Sequence, residues 1–142
     1  MHYNGGYLIG QISKLTNRRA NELLKKEGVK EFNGAQGTIM YVLMDRKQMT
    51  IKDICKATGL AKTSLTTMLE RMEKQGLIEK IEDENDHRCT LVSLTEKSQK
   101  YKKVIEKVAV NMMKEYYRDM SDEEVTLFEE TLKRVLNNIE AQ

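Results

Sequence analysis

Not one proline occurs in the 142 residues. That absence constrains the fold more than any single motif, because proline removes a backbone donor and clashes with the preceding helical turn. Long uninterrupted helices are therefore open to this chain, and a mostly α protein is expected. The length suits one domain, or one domain with an added dimerisation element, whose core needs neither disulfide nor metal. Hydrophobic residues at 39% and charged residues at 32% predict a folded, soluble chain rather than a disordered one. No apolar run approaches the roughly 18 to 20 residues that a membrane helix requires. Cys55 and Cys89 share no C-x-x-C spacing and no signal-like stretch opens the chain, so a reduced, cytoplasmic protein is expected.

Apolar periodicity divides the chain into elements. Leu8, Ile12, Leu15, Leu23 and Leu24 predict a first helix from about Tyr7 to Glu27, closed by Gly28. Asn33 can cap a second helix that runs to about Arg46, and Thr50 a short third helix over Ile51 to Thr58, followed by Gly59. Leu65, Met68, Leu69 and Met72 fall at i, i+3, i+4 and i+7 and predict a fourth helix that Gly76 ends. The runs "LIEKIE" and "CTLVSL" flank polar turn formers and predict an antiparallel hairpin. Thr95 and Glu96 open a long helix with an apolar stripe from Tyr101 to Tyr116. Ser121 and Glu124 form a capping box for a last one carrying Val125, Phe128, Leu132, Val135, Leu136 and Ile139.

Helix three, the turn at Gly59 and helix four make a helix-turn-helix, and the hairpin behind it makes a winged helix. The expected fold is mostly α with a small β-hairpin. By role, residues 1–32 are an N-terminal dimerisation helix, 33–94 the winged helix-turn-helix lobe and 95–142 the C-terminal dimerisation helices. On the outward face of helix four, Lys62, Thr63, Ser64, Thr66, Thr67 and Arg71 include no carboxylate. Hydroxyls and cations are what base edges and phosphates require of a helix in the major groove, so Thr63, Ser64, Thr66 and Thr67 are expected to face bases and Lys62 and Arg71 to hold phosphates. The net charge of +2 is uneven: thirteen basic residues meet nine acidic ones over 46–103, against five and nine over 104–142. The middle of the chain is where a polyanion belongs.

The hairpin loop holds one cation among acids, Arg88 beside Glu82, Asp83, Glu84 and Asp86. A guanidinium at a hairpin tip suits a narrow minor groove, and Asp86 is expected to aim it by a charge-assisted hydrogen bond. No nucleophile elbow, P-loop, H-E-x-x-H or paired-acid signature occurs, so catalysis is not expected. His2 and His87 form no ligand cluster with either cysteine, and no metal or other cofactor is expected.

The run from Thr50 to Ser98, with D-x-x-D-x-R at Asp83, Asp86 and Arg88 followed by "LVSLTEK", resembles the MarR family of bacterial transcription regulators. The resemblance implies a winged-helix homodimer on pseudo-palindromic double-stranded operator DNA, probing successive turns about 34 Å apart. The chain departs from the family pattern where Ala61 stands in place of a capping Ser, Glu84 in place of a frequent proline and His87 in place of a frequent arginine. A less rigid, less cationic wing implies weaker nonspecific affinity for DNA. The terminal helices carry more apolar surface than a small lobe can cover, and a two-fold dimer would bury it.

The resemblance further implies a repressor released by a small apolar or aromatic effector, for which Met40, Tyr41, Met44, Met112, Met113 and Tyr116 are the candidate lining. Oxidant sensing in the family uses a thiol in the first helix, and this chain has none there. A winged helix used only for protein contacts, as an anti-regulator or scaffold, is the alternative reading.

Overall fold

The computed structural model describes residues 2–141. In chain order they form α1 (Gly5–Lys26), α2 (Gly34–Arg46), β1 (Gln48–Thr50), α3 (Ile51–Thr58), α4 (Lys62–Lys74), β2 (Ile78–Glu82), β3 (Thr90–Leu94), a 3-10 helix (Lys97–Tyr101), α5 (Lys102–Tyr116) and α6 (Asp122–Glu140). All six α-helices and the hairpin match the expected order. The hairpin belongs to a three-stranded antiparallel sheet, β1-β3-β2, because the short strand β1 adds Gln48, Met49 and Thr50 to Ser93, Val92 and Leu91 of β3. Three residues are too few for an alternation signal, so β1 escapes periodicity.

A second difference follows the wing. Thr95 accepts the Ser98 backbone N–H at 3.3 Å as a cap should, yet the Ser98 hydroxyl turns back to the Thr95 carbonyl at 2.6 Å and the first stretch is 3-10 rather than α. The Thr95 hydroxyl donates instead to the Gly76 carbonyl at 2.5 Å, and Lys97 Nζ to the Gln75 carbonyl at 2.9 Å. These two bonds fasten the entry of the long helix to the exit of α4.

The chain divides into two compact units, Met1–Ala109 and Val110–Gln142. In the first, Ile39, Met40, Leu43, Ile54, Leu65, Leu69, Met72, Ile78 and Val92 are fully buried, so α2, α3, α4 and the sheet share one core. α1 adds only Leu23 and Leu24 to it, and its N-terminal half, with Tyr7, Leu8, Ile12 and Leu15, is exposed. α1 and α2 touch closely at Gly34, where an added Cβ would lie 3.0 Å from Ala20 Cβ and where the Gly34 N–H donates to Asn21 Oδ1 at 2.6 Å. Asn33 and Gln36 form a reciprocal capping box at this helix start.

In the second unit, Ser121 and Glu124 form the anticipated capping box for α6, and the Tyr117 hydroxyl donates to Glu129 at 2.7 Å. That bond to a carboxylate, before burial, pushes the Tyr117 phenol up. No residue of α6 is buried. Among the described residues no helix is long and apolar enough to cross a membrane.

Candidate nucleic-acid interface

The helix-turn-helix is built from local chemistry at both of its ends. Thr50 accepts the Asp53 N–H at 3.1 Å and starts α3, which stops when Gly59 enters the left-handed region at φ 74°. The Thr58 hydroxyl donates to the Ile54 carbonyl at 2.7 Å and accepts the Leu60 N–H at 3.3 Å, holding the turn in place. α4 then begins at Lys62 with Ala61 at its cap position. Ala61 has the extended backbone of a cap residue, φ −67° and ψ 146°, but offers no side-chain acceptor. The first N–H groups of α4 are thus open to an external acceptor such as a phosphate oxygen.

Leu65, Leu69 and Met72 anchor α4 in the core and fix which face turns outward. Lys62, Thr63, Ser64, Thr67 and Arg71 are exposed and Thr66 is half-buried. Thr66 donates its hydroxyl to the Lys62 carbonyl at 2.8 Å, and Thr67 donates to the Thr63 carbonyl at 3.2 Å. Their protons are therefore occupied within the helix. What these two offer outward is a methyl and lone pairs, suited to a thymine methyl and to base amino groups.

The wing loop, residues 83–89, is organised by Asp86. One carboxylate oxygen, Oδ1, accepts both the Arg88 backbone N–H and the Arg88 Nε–H at 3.1 Å each. The Arg88 guanidinium and then its N–H hold the Asp86 carboxyl below the usual aspartate range. The rest of the arginine points into solvent, with its side chain 91% exposed. Asp83 takes part as well, its side chain accepting the Asn85 N–H at 2.9 Å and its N–H reaching the Cys89 carbonyl at 3.0 Å. His87 lies 3.1 Å from Glu82, and Lys80 of β2 meets Glu73 of α4 at 3.8 Å, a link between wing and helix.

Cys89 Sγ rests 3.6 Å from Asp86, and burial first, then the Asp86 charge, pushes its thiol up. This opposes thiolate chemistry. Among the described residues no group of three or more His, Cys, Asp or Glu side chains could hold a metal.

The candidate effector residues are spread over different settings. Met40 is fully buried in the core, whereas Tyr41 is about half exposed and, with Met44, lines an open cleft beside Ala57 and Glu106. In the second unit Met112 is half-buried, and Met113 and Tyr116 are exposed. Sequence patterning missed the double use of Asp86 Oδ1 and the Asp83 bonds, although aspartates two residues before a turn amide are a known signal for such contacts.

Residues 31–88 match the family model described as MarR family. The chain is 26% identical over 128 residues to the transcriptional repressor MprA of Escherichia coli K12, covering 90% of this chain and 72% of that protein. It is 40% identical over 57 residues to an organic hydroperoxide resistance transcriptional regulator of Bacillus subtilis, 40% of this chain and 39% of that one. Among solved structures, a mutant MarR from E. coli complexed with operator DNA superposes with a TM-score of 0.73 at 25% identity, covering 92% of both chains. A SlyA-like regulator from Listeria monocytogenes shares the fold at a TM-score of 0.80 and 20% identity, covering 92% of this chain and 85% of its own. With the family model spanning α2, the helix-turn-helix and the wing loop, and the fold kept along the chain, this protein is similar to the MarR family and shares its winged-helix fold.

Proposed function

We propose that the protein is a DNA-binding transcription regulator which acts as a homodimer, represses from a pseudo-palindromic operator and is released by a small-molecule effector. One observation carries the DNA-binding reading: an outward face of α4 without carboxylates from Lys62 to Thr67, paired with a wing-tip arginine aimed by Asp86. α4 supplies groups for the major groove, and Arg88 supplies a guanidinium for the adjacent minor groove. The open N–H groups at the start of α4 add phosphate acceptance without a side chain. The operator complex of the E. coli MarR mutant supports the same reading.

Exposed apolar faces support the dimer. In one unit Tyr7, Leu8, Ile12 and Leu15 stay uncovered along α1, and in the other Leu127, Leu132, Leu136 and Ile139 stay uncovered along α6. Helices patterned this strongly are stable when the apolar face meets a partner, and a second copy offers the same faces by two-fold symmetry. Repression and release by an effector rest on the likeness to MprA and on the cleft beside Tyr41 and Met44.

Selection of bound duplexes from a random pool tests base reading and dimerisation together. The winners should contain two inverted half-sites about one helical turn apart. A dimer that ignores every duplex at low salt would instead be a module for protein contacts.

A further inference from the structure

The four hydroxyls on the outward side of α4 are not equivalent hydrogen-bonding groups. Thr66 donates its proton to the Lys62 carbonyl at 2.8 Å, and Thr67 donates to the Thr63 carbonyl at 3.2 Å. A hydroxyl has one proton to give and two lone pairs with which to receive, so both of these side chains are left as acceptors. Thr63 and Ser64 differ, because the residues four places before them are Gly59 and Leu60, which lie outside the helix. No helical carbonyl stands behind them to take the proton. The first turn of α4 can therefore donate or accept, while the second turn can only accept.

Position separates the two threonines of the second turn. At about 100° per residue, Thr67 falls nearly in line with Thr63, one turn further on and opposite Leu65, Leu69 and Met72. It is exposed, whereas Thr66 is half-buried at the side. Of the two acceptor-only hydroxyls, Thr67 is thus the one that a base edge meets. Its short side chain sets a methyl beside those lone pairs.

The base pairs answer this combination differently in the major groove. An A·T pair carries the adenine N6 amino donor and the thymine C5 methyl, one for the lone pair and one for the methyl. A G·C pair has no methyl, and its guanine shows O6 and N7, two acceptors that would face the threonine lone pairs with no proton between them. Cytosine keeps a donor at N4, so G·C is disfavoured without being barred. No Asn or Gln occurs within α4 to read adenine in place of Thr67.

We propose that Thr67 is a specificity-determining residue, selecting an A·T pair and rejecting guanine at its place in each operator half-site. The proposal rests on the DNA-binding reading above and deepens it by naming which bases the second turn of α4 accepts. Thr63 and Ser64, with protons to donate, impose no such exclusion.

The test is a double-mutant cycle between the full-length protein and a duplex selected from a random pool. Each thymine of the half-site is replaced in turn by uracil, which removes only the C5 methyl, and wild type is compared with Thr67→Ser, which removes only the threonine methyl. At one A·T pair per half-site, uracil should weaken wild-type binding at least threefold and leave Thr67→Ser almost unaffected. Exchanging that pair for G·C should cost wild type at least tenfold. Thr67→Val keeps a methyl and loses the lone pairs, so it should retain the uracil effect and reduce the cost of G·C. Because Thr67 is exposed, both variants should keep the helical content of wild type.

Uracil effects equal in wild type and Thr67→Ser at every thymine would overturn the proposal, as would a pair that couples to Thr67 and prefers G·C. Either result, obtained on a tightly bound selected sequence, leaves the DNA-binding reading intact. A protein that enriches no sequence and holds no duplex at low salt overturns that reading, and this proposal with it.

Discussion

Asp86 is the residue on which the wing tip turns. Its Oδ1 takes the two Arg88 donors, and its pKa lies below the usual aspartate range because the charged form is the one those donors favour. The sign follows from this: the contact's contribution to folding is fully present above the ordinary aspartate pKa and is lost as pH falls through the lowered value. A carbon-detected titration of the Asp86 carboxyl should give a midpoint below that of a model aspartate, and Arg88→Ala should move it upward. Removing the guanidinium should cost at least tenfold in operator affinity, about 1.4 kcal/mol, while the melting temperature stays nearly unchanged. The second half of that expectation rests on exposure, since the Arg88 side chain touches little but Asp86. Operator affinity unaltered by Arg88→Ala would remove the wing from recognition. Arg88 and Asp86 were legible in the sequence as a pair at i and i+2, whereas the sharing of one oxygen required the loop's own path.

Among the elements, α4 and α2 show how local chemistry sets stability. Ala61 occupies a cap position with cap-like backbone and no acceptor, so Ala61→Ser should add about 1 kcal/mol by satisfying an N–H of the first turn. A rise of several degrees in melting temperature would report it. The same hydroxyl would compete with a phosphate for those N–H groups, so operator affinity should not rise in parallel. Gly34 is the opposite case. A methyl there would press on Ala20 Cβ and Asn21 Oδ1, and Gly34→Ala should destabilise the fold by about 1 to 3 kcal/mol in urea unfolding. The capping residues Asn33, Thr50 and Ser121 could be read from the chain because a cap is a relation within four residues. β1 could not, because its three residues become a strand only where β3 lies beside them.

For the whole molecule, charge and apolar surface set the tests. If, as proposed, Lys62, Arg71 and Arg88 of each protomer of a dimer meet phosphates, six cations lie on the DNA, and the logarithm of affinity should fall against the logarithm of salt with a slope of about −5. A slope near zero would exclude phosphate contacts of this number. Leu132→Glu together with Leu136→Glu should convert the dimer to a monomer in sedimentation and weaken operator binding by more than about a hundredfold, because the second half-site is then lost. Helical content should persist, since α6 contributes no buried residue within one chain.

What the sequence by itself determined are the features that repeat over a few residues: helix faces, caps, stop glycines, the hairpin and the acid-free face of α4. Each depends on neighbours within one or two turns, so composition and spacing carry it. What only the tertiary structure decided depends on residues far apart in the chain. Met40 and Met44 both lie on the periodic apolar face of α2, but packing buries the first completely and leaves the second half-buried. Arg46, Lys47 and Lys102 meet around one cleft though some 55 residues separate them, because closing the sheet brings the end of α2 beside the start of α5. Burial and charge convergence are properties of the folded surface, and no local spacing encodes them.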